Sequence, residues 1–582
     1  MRSMQTRYVG RRALIRGAGV GALGLAGAAL IGCGSGTGGS DAPAPVAAKD
    51  AGLNLDGALG VTAPVVAGTP RKGGVFTTAM TGKLTHDPAN GVNSGVWPML
   101  GDMLLEADPR TAALKPSIAA SWESPDPLTV IFKIKPGLKI TNKAPFNGRN
   151  FDATDVAWNL ERHSGLYADR LKLPKGYFQR ASLIANLVKA EAMDPLTVKV
   201  TLSKPNSAFF SGLSNNRAIT MPKEMDDVGF KDPMKFGGIG PWDLAEYKDD
   251  VRVRFTRNKD FTLRPNEPWF DEVVWEGIAD PNAVVAAFSS KQIDAINIRQ
   301  NPDALALINK ARPDSNVYSW PQTTYQNLRP TMKYAPFRDS RVRRALHLAI
   351  DYADLGTSTW QNDWVYTLAT HSSFEEAWSP DKVKALPGYN PETKKQDREE
   401  AAKLLAAAGF PGGKGLSWEI ICAGDFGVNV GNMTRYQGQM KTVFPDMDVR
   451  QKLLPDKAAF DAIWTKGEFQ MQIGGLSVPP DAVLDVIQNY HSQGSRNYGS
   501  FNEPAMDALL DKAISEVNRT ARKELFNEFQ KKYQEEWRPD FLLHLAQTKE
   551  VIGAGIGGYD KLTGTFGPST AMGASRMYYV NK

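Results

Sequence analysis

Cysteine is almost missing from this chain. Cys33 and Cys422 are the only two in 582 residues. With Cys33 committed to another role, as argued below, no intramolecular disulfide can form. A chain of this length and 42% hydrophobic content can bury enough core to do without one. Long apolar runs are scarce too: the stretch from Ala18 to Ile31 falls short of the roughly 20 residues a bilayer-spanning helix needs. Signatures of catalysis are also lacking. There is no G-x-S-x-G elbow and no H-E-x-x-H. In "GFPGGKG" (409–415) the first glycine comes one place late for a phosphate loop, and Gly415 stands where Ser or Thr would hold magnesium. Six histidines (His86, His163, His347, His371, His491, His544) are scattered without metal-ligand spacing. The adjacent acids Asp249-Asp250, Glu375-Glu376 and Glu535-Glu536 read as exposed faces. The expectation is a protein with no catalytic residue, no metal and no cofactor.

What is present at the N-terminus is a leader. "GAGVGALG" matches the glycine fingerprint of a dinucleotide-binding turn, but that turn needs a buried strand before it and an acid about 20 residues later. Arginines precede it here. Arg2, Arg7, Arg11, Arg12 and Arg16 form a basic n-region ahead of the small apolar h-region Ala18–Ile31, which is the anatomy of an export signal. Arg11-Arg12 followed by Leu14 resembles the twin-arginine variant. Leu30-Ile31-Gly32-Cys33 resembles a bacterial lipobox, in which the cysteine is diacylated and becomes the new N-terminus. Loss of residues 1–32 removes five arginines and no acid, so the formal charge falls from +6 to +1. That leaves no electrostatic footprint for nucleic acid. Residues 33–70, rich in Gly, Ala, Ser and Pro, read as a flexible tether.

The remainder is patterned as mixed α and β. "LTVIFKIK" (128–135), "LTVKVTL" (196–202) and "VRVRFT" (251–256) alternate apolar and polar residues, the mark of strands with one buried face. Val342, Ala345, Leu346, Ala349 and Ile350 form a helical stripe with Arg341, Arg344 and His347 outside it, and the Arg-Val-Arg-Arg cluster reads as a solvated, salt-bridged face. Met506, Leu509, Leu510, Ala513 and Ile514 repeat the spacing behind Pro504. "REEAAKLLAAAGF" (398–410) predicts a helix stopped by Gly409. Asp152 with Asp155, and Asp339, stand where helix caps belong. Gly240-Pro241 predicts a turn with Trp242 packed against it.

Six segments, in this order, carry a family resemblance: "AASWESPDPLTVIFKIKPGLKI", "FNGRNFDATDVAWNLER", "GIGPWDLAEY" with "FTRNKDF", "APFRDSRVRRALHLAID", "YNPETKKQDREEAAKLLAAAGF" and "NYGSFNEPAMDALLDKA". From about residue 71 to the C-terminus the chain resembles the extracytoplasmic solute-binding proteins of ABC importers, in the group that includes oligopeptide-, dipeptide- and nickel-binding proteins (family 5). The resemblance implies an α/β, periplasmic-binding-protein-like (type II) fold, with two lobes around a ligand cleft and a third, inserted domain. It implies a discontinuous first lobe (71–110, 223–322 and 546–582), a small inserted domain (111–222) and a second lobe (323–545). It also implies a monomer, lipid-anchored to the bacterial cell membrane on its outer side, that hands a small organic solute to permease subunits.

The ligand is less legible. Peptide binders of this group carry a Gly-Trp-x-x-Asp-x-x-Asp-Pro stretch whose first aspartate pairs with the peptide amine. The corresponding "IGGLSVPPDAVLDVI" (473–487) has Gly475 or Leu476 at the tryptophan position and Ser477 or Val478 near the aspartate, with Asp481 displaced. Loss of such a charged hydrogen bond weakens binding by about 1.5–3 kcal/mol. Thirteen tryptophans point to flat or sugar-like solutes instead: Trp97, near Asn93, lies in a segment that borders the cleft in similar proteins, and Trp360 and Trp364 flank Asn362. Asn93, Trp97, Trp360, Asn362, Trp364, Gly475, Ser477 and Asp481 are therefore the candidate ligand contacts. Peptide stands first and an oligosaccharide-like solute second. An exported hydrolase and a sensory or chaperone-like lipoprotein are the readings from other classes.

Overall fold

The computed structural model describes residues 64, 66–80, 84, 86–90, 95–107, 114–174, 177–298, 303–322, 324–372, 374–424, 427–479, 481–559 and 576–581. The basic leader, Cys33, most of the expected tether and Asn93 lie outside them. Within the described chain, each period-two stretch becomes a strand with one buried face. β1 (Val75–Met80) buries Phe76, Thr78 and Met80. β2 (Ala119–Asp126) and β3 (Thr129–Ile134) are joined through α1 (Ala153–Ser164) to β4 (Leu187–Asp194) and β5 (Thr197–Leu202). These four strands form a separate sheet ordered β2-β3-β5-β4, in which Val130, Phe132 and Ile134 share one core with Val198, Val200 and Leu202. β6 (Trp242–Lys248), β7 (Arg252–Arg257), β8 (Glu272–Gly277) and β9 (Ala295–Asn297) follow, then β10 (Asn316–Pro321) and β11 (Thr324–Pro330). Next come α2 (Ser340–Ala349), α3 (Tyr352–Trp360), the short β12 (Trp364–Val365), α4 (Lys394–Ala407), β13 (Ser417–Ala423), α5 (Gly427–Val443), β14 (Asp448–Leu454) and β15 (Met471–Ser477). α6 (Ala482–Tyr490), α7 (Pro504–Ser515), α8 (Arg519–Lys532) and β16 (Phe541–Ile552) complete the layout. Among the described residues no helix is long and apolar enough to cross a membrane.

One twelve-stranded sheet runs through the molecule in the order β6-β7-β8-β1-β9-β16-β11-β15-β13-β14, with β10 and β12 also paired to β16. It carries two large cores. The first gathers Phe76, Trp242, Phe255 and Trp275 with the inserted four-stranded sheet. The second gathers Leu328, Leu346, Trp418, Ile473 and Phe541 with the helices around them. The strand Thr69–Arg71, pairing with Tyr578–Asn581, takes in the last two residues of the expected tether.

The caps form as their spacing requires. Asp152 accepts from Thr154 N (2.8 Å), and Asp155 accepts from Asp152 N (3.0 Å). Asp155 does more than cap: it is fully buried and takes two hydrogen bonds from Arg149 (2.8 and 2.6 Å), which also binds Glu224. Asp339 caps α2 through Arg341 N (2.8 Å), and Pro504 opens α7. Each aspartate cap contributes about 1 kcal/mol. Gly409 follows α4 at φ +94°, a left-handed stop.

Two parts of the expected solvated face of α2 are buried instead. Arg343 donates to the carbonyls of Phe337 (2.7 Å) and Trp537 (2.7 Å). His347 bonds Tyr352 Oη (2.7 Å) and the Pro387 carbonyl (2.9 Å), and burial holds its pKa well below the usual histidine range. The cause is the chain that covers this side of the helix. A Cβ at Gly388 would lie 2.2 Å from His347 Nε2, so only glycine, here at φ +88°, lets that chain pass. Glu376 likewise leaves the exposed set, buried against Arg522 Nη2 at 2.5 Å.

Asp540, just ahead of β16, anchors the second core. It is wholly buried and accepts from Arg329 Nη2 (3.0 Å), Asn327 Nδ2 (2.8 Å) and Tyr490 Oη (3.3 Å), while Tyr533 bonds its carboxylate and its carbonyl. Removing one partner of a buried, hydrogen-bonded pair strands the other charge. Asp540→Ala should therefore lower unfolding stability by about 3–5 kcal/mol in urea titration. The double variant Asp540→Leu/Arg329→Met should recover much of that loss. An Asp540→Ala titration superimposable on wild type would remove the pair from its anchoring role.

Candidate functional site

The two halves of the sheet meet along β16. Its first residues pair with β11 (Gln326↔His544, Asn327↔Leu542, Leu328↔Phe541), its middle with β12, and its last six with β10. Around this crossing, Gln322 N donates to the Ala546 carbonyl (2.9 Å) and Gln547 N to the Asp363 carbonyl (2.9 Å). The Asp363 carboxylate pairs with Lys549, and Gln361 Nε2 reaches Asp303 Oδ1 (3.2 Å).

Trp360 and Trp364 sit at this crossing, on the side of the second core. Trp360 Nε1 donates to His544 Nε2 at 2.5 Å, and both residues are almost wholly buried. That bond makes Nε2 an acceptor, so the imidazole is neutral with its proton on Nδ1; burial depresses its pKa to about 3. Trp364 lies flat over Gly356, where a Cβ would come within 2.4 Å of the indole. Asn362 between them is exposed. Trp97 is elsewhere: it is fully buried in the first core, stacked on Phe236 with centroids 5.1 Å apart. The structure therefore brings together two of the three tryptophans singled out by sequence.

A chain of amides runs from α3 into the sheet. Thr359 Oγ1 donates to Asn432 Oδ1 (2.8 Å), Asn432 Nδ2 to Gln326 Oε1 (2.8 Å), and Gln326 Nε2 to Asn429 Oδ1 (2.7 Å). In the β11–β15 register Gly475 lies opposite Gln326 and Ser477 opposite Thr324. A Cβ at Gly475 would meet Thr324 Cγ2 at 2.8 Å, so a tryptophan there would have to displace this contact. Asp481 is committed to structure. It caps α6 through Val483 N (2.8 Å) and lies 3.6 Å from Arg522 Nη1.

A different acid occupies the interior, four residues along α6. Asp485 is fully buried, with Asn489 Nδ2 at 3.0 Å and Tyr325 Oη at 3.4 Å. Burial pushes its pKa up to about 7, against the opposing pull of Arg496, Tyr325, Gln488 and Arg329. Sequence reasoning passed over it. The i, i+4 pairing of Asp485 with Asn489 on one helix face was its only available signal.

The inserted sheet's surroundings touch the second half as well. Leu183, Ala208 and Ala218 belong to the second core. Ser182 Oγ meets Ser495 Oγ at 3.1 Å, and Ser207 N donates to the Ile514 carbonyl (2.8 Å). A cavity of about 300 Å³ opens along this seam, lined in part by Ser182, Asn186, His491, Ser495 and Asp511.

A pH prediction follows from Asp485. Its folded pKa lies above the unfolded carboxylate value of about 4, so the native state binds the extra proton between the two values, and stability falls as pH rises from about 4 to about 7. Asp485→Asn removes that dependence. The difference in thermal midpoint, variant minus wild type, should become more positive from pH 5 to pH 8. A difference that is constant or reversed across this range would show that Asp485 is ionised throughout.

Comparison with known proteins gives this geometry its context. The model of the family described as bacterial extracellular solute-binding proteins, family 5 Middle, matches residues 113–497. Heme-binding protein A of Haemophilus influenzae is 24% identical over 443 residues, covering 73% of this chain and 78% of that protein. Glutathione-binding protein GsiB of Escherichia coli is 28% identical over 311 residues, 52% of this chain; the match spans about half (54%) of that relative's length. Among solved structures, the ABC transporter-associated periplasmic binding protein DppA from Helicobacter pylori, in complex with peptide STSA, shares the fold at a TM-score of 0.74. It is 20% identical, with 88% of this chain and 99% of that chain covered. The chain belongs to the family 5 bacterial extracellular solute-binding proteins of ABC importers, and it is therefore an extracytoplasmic binding protein and not an enzyme.

Proposed function

We propose that this protein is exported by its basic leader, anchored through a lipid on Cys33, and held off the membrane by the segment that ends near residue 70. It captures an organic solute between the two halves of its large sheet, with the inserted domain as a third wall, and hands it to the permease subunits of an importer. The observation that carries this reading is the narrow crossing. Two separate cores share one sheet, and β16 with the β10–β11 connection carries the chain from one to the other. Domain closure of this kind concentrates its backbone change in a few linking residues. A ligand that touches both halves favours the closed state by its differential affinity for it.

Peptide is the first solute class. The relatives named for glutathione and the structure with peptide STSA support it, as do the amides Gln326 of β11 and Asn429 and Asn432 of α5. An amine anchor of the usual kind is missing, since Ser477 or Val478 stands near its place and Asp481 is held by a helix N-terminus and Arg522. The peptide amine would then be met by another group. The oligosaccharide-like alternative rests on Trp360 and Trp364, whose indoles pack onto His544 and Gly356.

Native mass spectrometry of the mature protein, taken from membranes in mild detergent without refolding, tests both parts at once. The expected spectrum shows a polypeptide beginning at Cys33 with a diacyl addition, plus a further mass that is released on denaturation and fragments as a peptide. A released sugar would move the ligand to the second class. A retained leader with no acyl mass would reject the anchor, and a bare polypeptide that gains no mass from a peptide mixture would reject peptide capture.

A further inference from the structure

The cavity of about 300 Å³ on the seam is of the size that small-molecule sites occupy. Its walls come from two parts of the fold. The turn Ala181–Ile184 and the start of β4 lie on the side of the inserted sheet, while the end of α6, the loop after it and the later turns of α7 lie on the second half. Three contacts hold the walls together. Ser182 Oγ meets Ser495 Oγ at 3.1 Å, Ser207 N donates to the Ile514 carbonyl at 2.8 Å, and Lys204 Nζ lies 3.9 Å from Asp511 Oδ2. One side of the cavity is apolar, built from the buried side chains of Ile184, Leu187 and Ile514.

The other side is polar, and its charge has one sign. Among the described residues that line the cavity there is no lysine or arginine, and Asp511 is the one acid. Two acids of α7 stand near His491, and their situations differ. Asp507 is taken up by Ser492, whose N donates to Oδ1 at 2.8 Å and whose hydroxyl donates to the other oxygen. Asp511 is approached by His491 Nε2 at 3.7 Å and by Lys204 at 3.9 Å, both beyond hydrogen-bond reach. Lys204 and Asp511 are each half exposed or more, so their attraction is screened. Gln493 N donates to His491 Nδ1 at 3.0 Å, which leaves this imidazole neutral with its proton on Nε2. The carboxylate of Asp511 therefore keeps acceptor capacity at the cavity.

We infer that this cavity is a second binding site, for an organic ammonium, whose charged nitrogen meets Asp511 and the seam hydroxyls while its aliphatic stem lies on Ile184, Leu187 and Ile514. A divalent cation needs several oxygen ligands in one shell, and a single carboxylate beside an apolar wall does not supply them. An anion would face Asp511. None of the lining residues belongs to β10, β11, β12 or β16, so the site is additional to solute capture at the crossing. An occupant that touches both walls favours their joined arrangement over a separated one.

The test uses the full mature protein and n-butylammonium chloride as the probe, with n-butanol and sodium chloride at matched concentration as controls. The ammonium should raise the thermal midpoint in a saturable way, while neither control does. Asp511→Asn should raise the half-saturating concentration at least about tenfold, the loss of one charged hydrogen bond. Asp511→Glu, which keeps the charge, should retain part of the response. Glu400→Gln, at an exposed acid on α4, should leave it unchanged. Equal responses to the ammonium and to butanol, or an unaltered half-saturation in Asp511→Asn, would overturn the site while leaving solute capture standing. A saturable, Asp511-dependent response in a protein that takes up no solute would support the site and reject the import role.

Discussion

Within its twelve residues β16 changes partner from β11 to β12 to β10, and so belongs to both cores at once. Its inward residues are therefore fixed by two sets of neighbours. Phe541 and Leu543 pack in the second core, Val551 in the cluster beneath the first half, and Ile552 in the first core itself. A shift of register in this strand would turn those side chains to the wrong face in both cores together. The Arg329–Asp540 pair sits at the start of the strand and fixes its entry. Of the partners it gathers, Asn327 and Arg329 come from β11, Tyr490 from α6, and Tyr533 from the turn after α8. The polar core and the crossing are thus parts of one arrangement.

Further paired polar groups lie in the interior beside β11. The hydrogen-bonded chain Thr359–Asn432–Gln326–Asn429 and the Tyr325–Asp485–Asn489 group flank β11 on the second half. Buried amides and acids cost free energy unless paired. Here they hold one another, as Asp540 is held by Arg329, Asn327 and Tyr490. Trp97 shows the contrast: it sits among Phe230 and Phe236 and serves packing.

Much of the fold was legible from periodicity and caps because both are local. The strands at Thr129–Ile134, Thr197–Leu202 and Arg252–Arg257, and the helices α2, α4 and α7, lie where alternation and stripe placed them. What periodicity could not reveal is which polar face is covered by distant chain. His347 lies outside its helical stripe yet is buried, because the chain at Pro387–Gly388 crosses over it. Of the candidate contacts, Trp360 and Trp364 are brought together around His544, and the sequence showed them as indoles and amides clustered within a few residues. Asp485 was masked by its neighbour Asp481, which looks like the better candidate but is spent on a cap.

Solute capture as proposed draws the two halves together about β16. Single-molecule energy transfer between cysteines placed at Val251 and Leu453, both exposed and on opposite halves, would follow it directly in a chain with Cys33 and Cys422 replaced by alanine. Two populations are expected in the emptied protein, with a shift to the nearer one when the solute released from the native protein is returned. A single distance, unchanged by that solute, would contradict it.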